Sequence, residues 1–211
     1  MPENKGFFVT GTDTGVGKTV LSALLCFSLR ACYWKPIQTG ATEGTDRQQL
    51  LAWGLPVEDA VDEVYVFNEP VSPHLASQWA NVPIRLESIP VPTFRTKPLI
   101  VEGAGGVLVP INADKFMTDL AQYVQLPVVV AARSTLGTIN HTLMSLLALR
   151  TAKLSIRGVV MIGPINKDNQ AAIERYGDTA VIGKIPPLPI IDRAGLERTF
   201  QQSFDPQAFC L

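Results

Sequence analysis

Gly6-Phe-Phe-Val-Thr-Gly-Thr-Asp-Thr-Gly-Val-Gly-Lys-Thr19 decides how the rest of the chain is read. Phe7, Phe8 and Val9 form a short apolar run of the kind a buried strand carries. The run breaks into a Gly/Thr/Asp turn, then Gly17-Lys18-Thr19, then a helical pattern through Val20, Leu21, Leu24 and Leu25. Strand, flexible turn and helix start together make an anion cradle. The first backbone N–H groups of a helix have no partner inside it, and its dipole favours negative charge there. Lys18 adds a point charge for β- and γ-phosphates, and Thr19 a hydroxyl for a phosphate-bound Mg²⁺. The chemistry implied is a nucleoside-triphosphate site. Its spacing is unusual, because five residues, Thr12 to Val16, separate Gly11 from Gly17 where the general phosphate loop has four.

The apolar runs that follow predict strands at Tyr33–Pro36, Val64–Phe67, Leu99–Glu102, Val128–Ala132, Gly158–Ile162 and Val181–Ile185. Helices are expected near 17–31, 45–53, 73–80, 117–124, 138–152 and 168–176. The runs at 99, 128 and 158 are almost continuously apolar, as strands covered on both faces are. In the fifth helix Ile139, Leu143, Leu146, Leu147 and Arg150 are expected to share one face. The alternation predicts an α/β fold: a doubly wound, mostly parallel sheet with helices on both faces, formed by residues 1–211 as one domain. The Pro-rich stretches Ile89–Pro98 and Pro186–Pro189 are read as surface connections.

Ligands in such folds bind beyond the carboxyl ends of the strands, so the residues after each run matter most. Lys35-Pro-Ile-Gln-Thr-Gly40 follows the second and places Lys35 where a catalytic group is expected, although a solvated lysine is the ordinary alternative. Thr45 is positioned to cap a helix that opens with Asp46, which either answers the helix dipole or supports Mg²⁺. Glu102 closes an apolar run and precedes three glycines in four residues; buried there it needs a cation or a metal. Thr19, Glu102 and Asp46 are the hard oxygen donors that suit Mg²⁺. Gly137-Thr138 opens a later helix, as a second anion site or a simple cap. The two histidines, His74 and His141, have no nucleophile motif beside them and are assigned packing or hydrogen-bonding roles.

The formal net charge is −1, which advertises no basic face and leaves nucleic acid outside the expected partners. No apolar run approaches the roughly 18 residues of a membrane span. Three cysteines without ligand spacing, Cys26, Cys32 and Cys210, read as reduced, buried thiols in a cytoplasmic protein.

Five blocks in order resemble the dethiobiotin synthetases, a family of ATP-dependent cyclo-ligases with a deviant P-loop NTPase-like fold. They are Gly11–Thr19, Lys35–Gly40, Val71-Ser-Pro-His-Leu-Ala76, Val101-Glu-Gly-Ala-Gly-Gly106 and Leu136-Gly-Thr-Ile-Asn-His-Thr142. The resemblance implies that 7,8-diaminopelargonic acid, CO₂ and ATP give dethiobiotin, ADP and phosphate, through a carbamate and a carbamic–phosphoric anhydride. It implies that Lys35, Lys18 and Thr39 are catalytic. Nucleotide contacts are expected from Thr12, Asp13, Thr14, Gly15, Val16, Gly17, Lys18, Thr19, Glu102, Gly105, Gly163 and Pro186. Substrate contacts are expected from Thr12, Lys35, Thr39, Ser72, Pro73, Gly137, Thr138 and Asn140, the last three reaching the diamine's carboxylate from the partner subunit of a homodimer. Three features depart from the family. Gly15 stands where many members have Glu. Ile162-Gly163 stands where an Asn often reads the base, with Asn166 as a substitute, so weak base discrimination is expected. The segment Ile84–Pro98 is short and broken by prolines where a fuller helix is common. Partition-type ATPases, the main rival from another class, usually carry a further lysine in the loop, which Gly11-Thr12-Asp13 lacks, and a basic membrane or DNA element absent from Glu197–Leu211. The other rival, a catalytically silent module, sits poorly with Lys18, Thr19, Lys35 and Glu102 all present.

Overall fold

The computed structural model describes residues 5–94 and 96–210. Strands β1 (Gly6–Gly11), β2 (Cys32–Trp34), β3 (Ile37–Gln38), β4 (Ala60–Val61), β5 (Tyr65–Val66), β6 (Leu99–Gly106), β7 (Val128–Arg133), β8 (Ile156–Ile162) and β9 (Val181–Ile185) alternate with helices. The helices are α1 (Lys18–Leu29), α2 (Asp46–Ala52), α3 (Pro73–Ala80), α4 (Met117–Val124), α5 (Thr138–Thr151), α6 (Lys167–Gly177) and α7 (Arg193–Ser203). Seven strands form one sheet in the order β4-β2-β6-β1-β7-β8-β9, every pair parallel. After β1 the chain travels toward β2, and after β6 toward β7. The two directions part at the carboxyl ends of β1 and β6, which is where a crevice opens in this architecture.

Successive side chains on each strand enter opposite cores, as the period of two requires. Phe7, Val9, Tyr33, Ile100, Val129 and Ala131 pack with α1, Leu50 of α2 and Leu196 of α7. Phe8, Trp34, Val101, Val128 and Val130 pack with Met117, Leu120, Leu146 and Ile173 on the other face. Both faces are apolar because both are covered, which is the origin of the continuous runs in sequence.

Several expectations require correction. Residues 64–67 are not a strand of the main sheet. Tyr65–Val66 pairs with Ile37–Gln38 in a separate two-stranded sheet, and Ala60–Val61 takes the edge beside β2. The strand predicted to run to Pro36 stops at Trp34, since proline has no N–H for the ladder. Glu102 does not end its strand; β6 continues through Gly103 to Gly106. On α5, Leu146 and Leu149 are buried, whereas Leu147 is 65% exposed and shares no buried face with Leu146. Arg150 reaches sideways and donates to Asp178 O at 2.9 Å. The stretch Ile89–Pro98 is more than a surface connection, because Ile89 belongs to the core and Val91 and Phe94 pack against it. Helix α7 was not foreseen; Asp192 Oδ1 caps it by accepting from Gly195 N at 2.7 Å. Cys26 and Cys32 are buried as expected, but Cys210 is exposed.

Candidate active site

The phosphate loop begins where Thr12 N donates to Ala131 O of β7 at 2.9 Å. It ends at Gly17, whose φ of 103° is a left-handed conformation open to glycine. A side chain there would also meet Ile162, whose atoms lie 3.0 Å from the position of a Cβ. This geometry aims the first turn of α1, Lys18 and Thr19, into the crevice. Lys18 is buried, and its Nζ donates to Asp13 O at 3.0 Å.

Lys35 is 7% exposed, so the solvated-lysine alternative does not hold. Its ammonium donates to Asp46 Oδ2 and lies 3.5 Å from Glu102 Oε1. Asp46 is held at the start of α2 by two devices. Thr45 and Gln48 form a capping box, and Asp46 N donates to Gln38 Oε1 at 3.2 Å. Thr19 Oγ1 lies 2.9 Å from Asp46 Oδ1 and 3.1 Å from Glu102 Oε1. The bland and sharp readings of Asp46 and Glu102 therefore meet in one cluster: each carboxylate faces both a lysine and the Thr19 hydroxyl.

The electrostatics follow from burial against neighbours. Burial pushes the Glu102 carboxyl above the usual range, and attraction to Lys35 only partly offsets this. Burial would also raise Asp46, but the charge and hydrogen bond of Lys35 outweigh it and leave Asp46 below the ordinary value. Burial alone would lower Lys35; Glu102 and Asp46 reverse that and hold it above the ordinary lysine value, so it stays an ammonium. Lys18 lies farther from the carboxylates, and for it burial prevails and its pKa falls.

Lys18, Lys35, Asp46 and Glu102 thus line a crevice of about 680 Å³, together with Glu43, Thr14, Gly15, Gly17, Thr19, Thr39 and Gly105. Ser72 and Pro73, at the entrance of α3, line the same crevice. Ser72 Oγ and His74 Nδ1 share a hydrogen bond at 2.9 Å, which gives that histidine the hydrogen-bonding role expected of it. Thr12 and Asp13 border a second cavity of about 350 Å³ alongside Leu108, His141 and Met144. Gly163 and Pro186 line neither cavity, and Gly137, Thr138 and Asn140 do not reach the crevice of their own chain.

Thr138 is not the helix cap expected of it. Gly137, not Thr138, is the N-cap of α5. The Thr138 hydroxyl donates to Arg133 O, its N–H goes to Thr135 O at 3.1 Å, and the residue is buried. Gly137 and Asn140 remain exposed at the same helix start. Asn166 is likewise committed: its Oδ1 caps α6 by accepting from Asn169 N at 2.9 Å. A side chain at Gly163 would stand 2.7 Å from Ser134 Oγ, so an Asn there would require this hydroxyl to move.

Three contributors went unread in the sequence. Gln38 pins the Asp46 backbone, as described. Arg133, at the end of β7, donates to Thr14 O at 3.0 Å and lies 3.6 Å from Asp13 Oδ2, clamping the loop from outside. It passes 3.9 Å from where a side chain on Gly15 would begin. The Tyr33 hydroxyl donates to Glu102 Oε2 at 3.1 Å. Nothing in a one-dimensional pattern pairs residues 19, 33, 35, 46 and 102; the parallel register does.

The donor set fits a divalent ion of the Mg²⁺ type. Among the described residues no three His, Cys, Asp or Glu side chains converge as a metal cage. One hydroxyl and one or two carboxylates, completed by phosphate oxygens and water, is how Mg²⁺ is ordinarily bound.

Comparison with known proteins agrees with this geometry. Residues 5–194 match the family described as AAA domain (AAA_26). The ATP-dependent dethiobiotin synthetase BioD of Paramagnetospirillum magneticum is 49% identical over 90% of this chain and 92% of that protein. The enzyme of the same name from Novosphingobium aromaticivorans is 42% identical over 96% of this chain and 98% of its own length. The biotin biosynthesis bifunctional protein BioCD of Bordetella avium is 47% identical over 92% of this chain, which spans 42% of that longer protein. A ParA family ATPase from Chlorobium tepidum TLS shares the fold, with TM-score 0.53 over 98% of this chain and 100% of its own, at 11% identity. The fold is therefore common to the two classes weighed from sequence, and the close sequence relatives separate them: the chain belongs to the family of ATP-dependent dethiobiotin synthetases.

Proposed function

We propose that this chain, acting as one catalytic domain, is a dethiobiotin synthetase that joins 7,8-diaminopelargonic acid and CO₂ with consumption of ATP, releasing dethiobiotin, ADP and phosphate. The observation that carries the reading is the Lys18–Thr19–Lys35–Asp46–Glu102 cluster at the mouth of the phosphate loop. An amine of the substrate takes up CO₂ as a carbamate. The carbamate oxygen displaces ADP from the γ-phosphorus, forming a carbamic–phosphoric anhydride. The second amine attacks the carbonyl carbon, closes the ring and expels phosphate.

Phosphoryl transfer is largely positioning and neutralisation of charge. The loop amides and Lys18 hold the β- and γ-phosphates. Lys35 stands between two anions that must meet, the carbamate and the γ-phosphate, and lowers their repulsion. Thr39, on the loop after β3, hydrogen-bonds the carbamate, with Ser72 and Pro73 bordering the diamine. Thr19, Asp46 and Glu102 are the residues that would hold Mg²⁺, which when bound would neutralise phosphate charge. Purified protein should release ADP only when both diamine and CO₂ are supplied; ADP release indifferent to the diamine removes the reading.

Homodimer formation belongs to the same proposal. Leu108 (59%) and Met144 (58%) are exposed beside Thr12 and His141, and Leu147 (65%) is exposed farther along α5, an apolar face that a second copy would cover. It brings the partner's exposed Gly137 and Asn140 toward the substrate's carboxylate. Met144→Glu should give a monomer by light scattering and raise the diamine KM at least tenfold; an intact dimer with unchanged KM counts against it.

Base discrimination is expected to be weak. Gly163 has no side chain to read a base and Asn166 is occupied as a cap. Turnover with CTP and GTP should fall within about tenfold of that with ATP, since a missing hydrogen-bond reader leaves shape and stacking to discriminate. A preference of 10³ or more for ATP contradicts this. No described helix is long and apolar enough to cross a membrane; small-molecule partners and a cytoplasmic location belong to the same proposal.

A further inference from the structure

We infer that Tyr33 is a positioning residue that sets which edge of Glu102 faces the nucleotide and its metal ion. The inference rests on the Mg²⁺–nucleotide reading of the cluster above. Glu102 is wholly enclosed: its side chain is 0% exposed, and its partners are divided between its two oxygens. Oε1 faces Thr19 Oγ1 at 3.1 Å and Lys35 Nζ at 3.5 Å, Oε2 accepts from the Tyr33 hydroxyl at 3.1 Å, and the buried Ser22 hydroxyl also neighbours the carboxylate. The terminal torsion of a glutamate is broad and nearly two-fold. Without a donor on one side, the carboxylate plane can turn and its two oxygens exchange. The Tyr33 donor at Oε2 breaks that equivalence and presents Oε1 to Thr19.

The placement follows from register. Tyr33 lies opposite Ile100 in the β2–β6 ladder, and Glu102 is two residues beyond Ile100 on the same face. All three point into the core that surrounds α1. Tyr33 is 0% exposed amid Phe7, Leu21, Leu25 and Ile100. Phenylalanine would suit such surroundings better, because a buried hydroxyl is costly unless partnered. The hydroxyl has its partner in a carboxylate that also meets Thr19. Groups that orient a metal ligand in this way typically contribute 10- to 100-fold to metal affinity.

The test is nucleotide binding by calorimetry, in Mg²⁺ and in EDTA, for wild type, Tyr33→Phe, Glu102→Gln and the double variant. Tyr33→Phe should raise the Mg²⁺ concentration for half-maximal enhancement of binding about tenfold. Its affinity in EDTA should stay within twofold of wild type. Adding Tyr33→Phe to Glu102→Gln should produce no further change, because the tyrosine acts through the carboxylate. A wild-type Mg²⁺ dependence in Tyr33→Phe overturns the inference, as does equal weakening in EDTA, which marks a merely structural role. A wild-type protein whose nucleotide binding ignores Mg²⁺ overturns the metal reading and this inference together. Diamine-independent ADP release leaves the binding result standing and removes only the proposed reaction. Should Tyr33→Phe not fold, 3-fluorotyrosine in the wild-type chain asks the same question. The ¹⁹F resonance of the buried ring should move when Mg²⁺ joins the nucleotide complex, and an unmoved resonance counts against the role.

Discussion

Lys35→Ala should lower kcat about 10³-fold while nucleotide affinity changes by no more than a few-fold. The magnitude follows from what the ammonium faces. Single preorganised donors at a developing anion are worth roughly 10² to 10³ in rate, and cations on a transferring phosphoryl group 10³ to 10⁵. Nucleotide binding survives because the loop amides and Lys18 are untouched. The same change destabilises the unliganded fold. Lys35 is the nearest cation to Asp46 and Glu102, and removing one partner of a buried ion pair costs about 3 kcal/mol or more.

The pH dependence of that loss has a definite sign. In the native protein the Lys35 pKa is raised. Its contribution is complete at neutral pH and is lost only as the pH climbs through that raised value. In the variant the two carboxylates repel and their pKa values rise. Below that lysine value the deficit is therefore largest at neutral to mildly alkaline pH and shrinks as protons are taken up on acidification. Melting curves at pH 8 and pH 5.5 check this; a deficit that grows toward low pH is the wrong sign. Near-normal kcat ends the catalytic assignment of Lys35.

Glu102→Gln should raise the Mg²⁺ requirement for turnover about 100-fold, with little change in diamine KM. The amide keeps the shape of the carboxylate but loses its charge, and hard divalent ions choose charged oxygen. The expected loss is at the upper end of what orienting groups alone contribute. A Mg²⁺ titration coincident with wild type removes Glu102 from the metal shell and leaves it as a counter-ion of Lys35.

Much of this site was legible in the chain before folding, for a physical reason. A helix start that binds phosphate needs glycine, lysine and threonine in contiguous order, so Gly17-Lys18-Thr19 announces itself. Glu102 was visible because a carboxylate in an apolar run is costly, and Lys35 because it stands just past β2. What stayed hidden depends on pairing between distant segments. Tyr33 reads as an ordinary core aromatic until the β2–β6 register sets it beside Glu102. Ala60–Val61 is too short to register as a strand, and the more hydrophobic Val64–Phe67 drew the assignment instead. Helix α7 was missed because Leu196 and Thr199 are the only residues on it that are fully buried, and a proline cluster precedes it. Thr138 looked like a cap because threonine usually is one; here Gly137 takes that place, and the hydroxyl turns inward to Arg133 O.

The path of oxygen gives the most direct test of the central claim, delivery of the terminal phosphoryl group to a carboxylated amine. Diamine and ATP are mixed with freshly dissolved C¹⁸O₂, and the products are weighed by mass spectrometry before exchange with water is complete. The account predicts one ¹⁸O in the released phosphate and one in the ring carbonyl, because one carbamate oxygen leaves on phosphorus and the other stays on carbon. Phosphate without label, formed by attack of water on ATP, contradicts it.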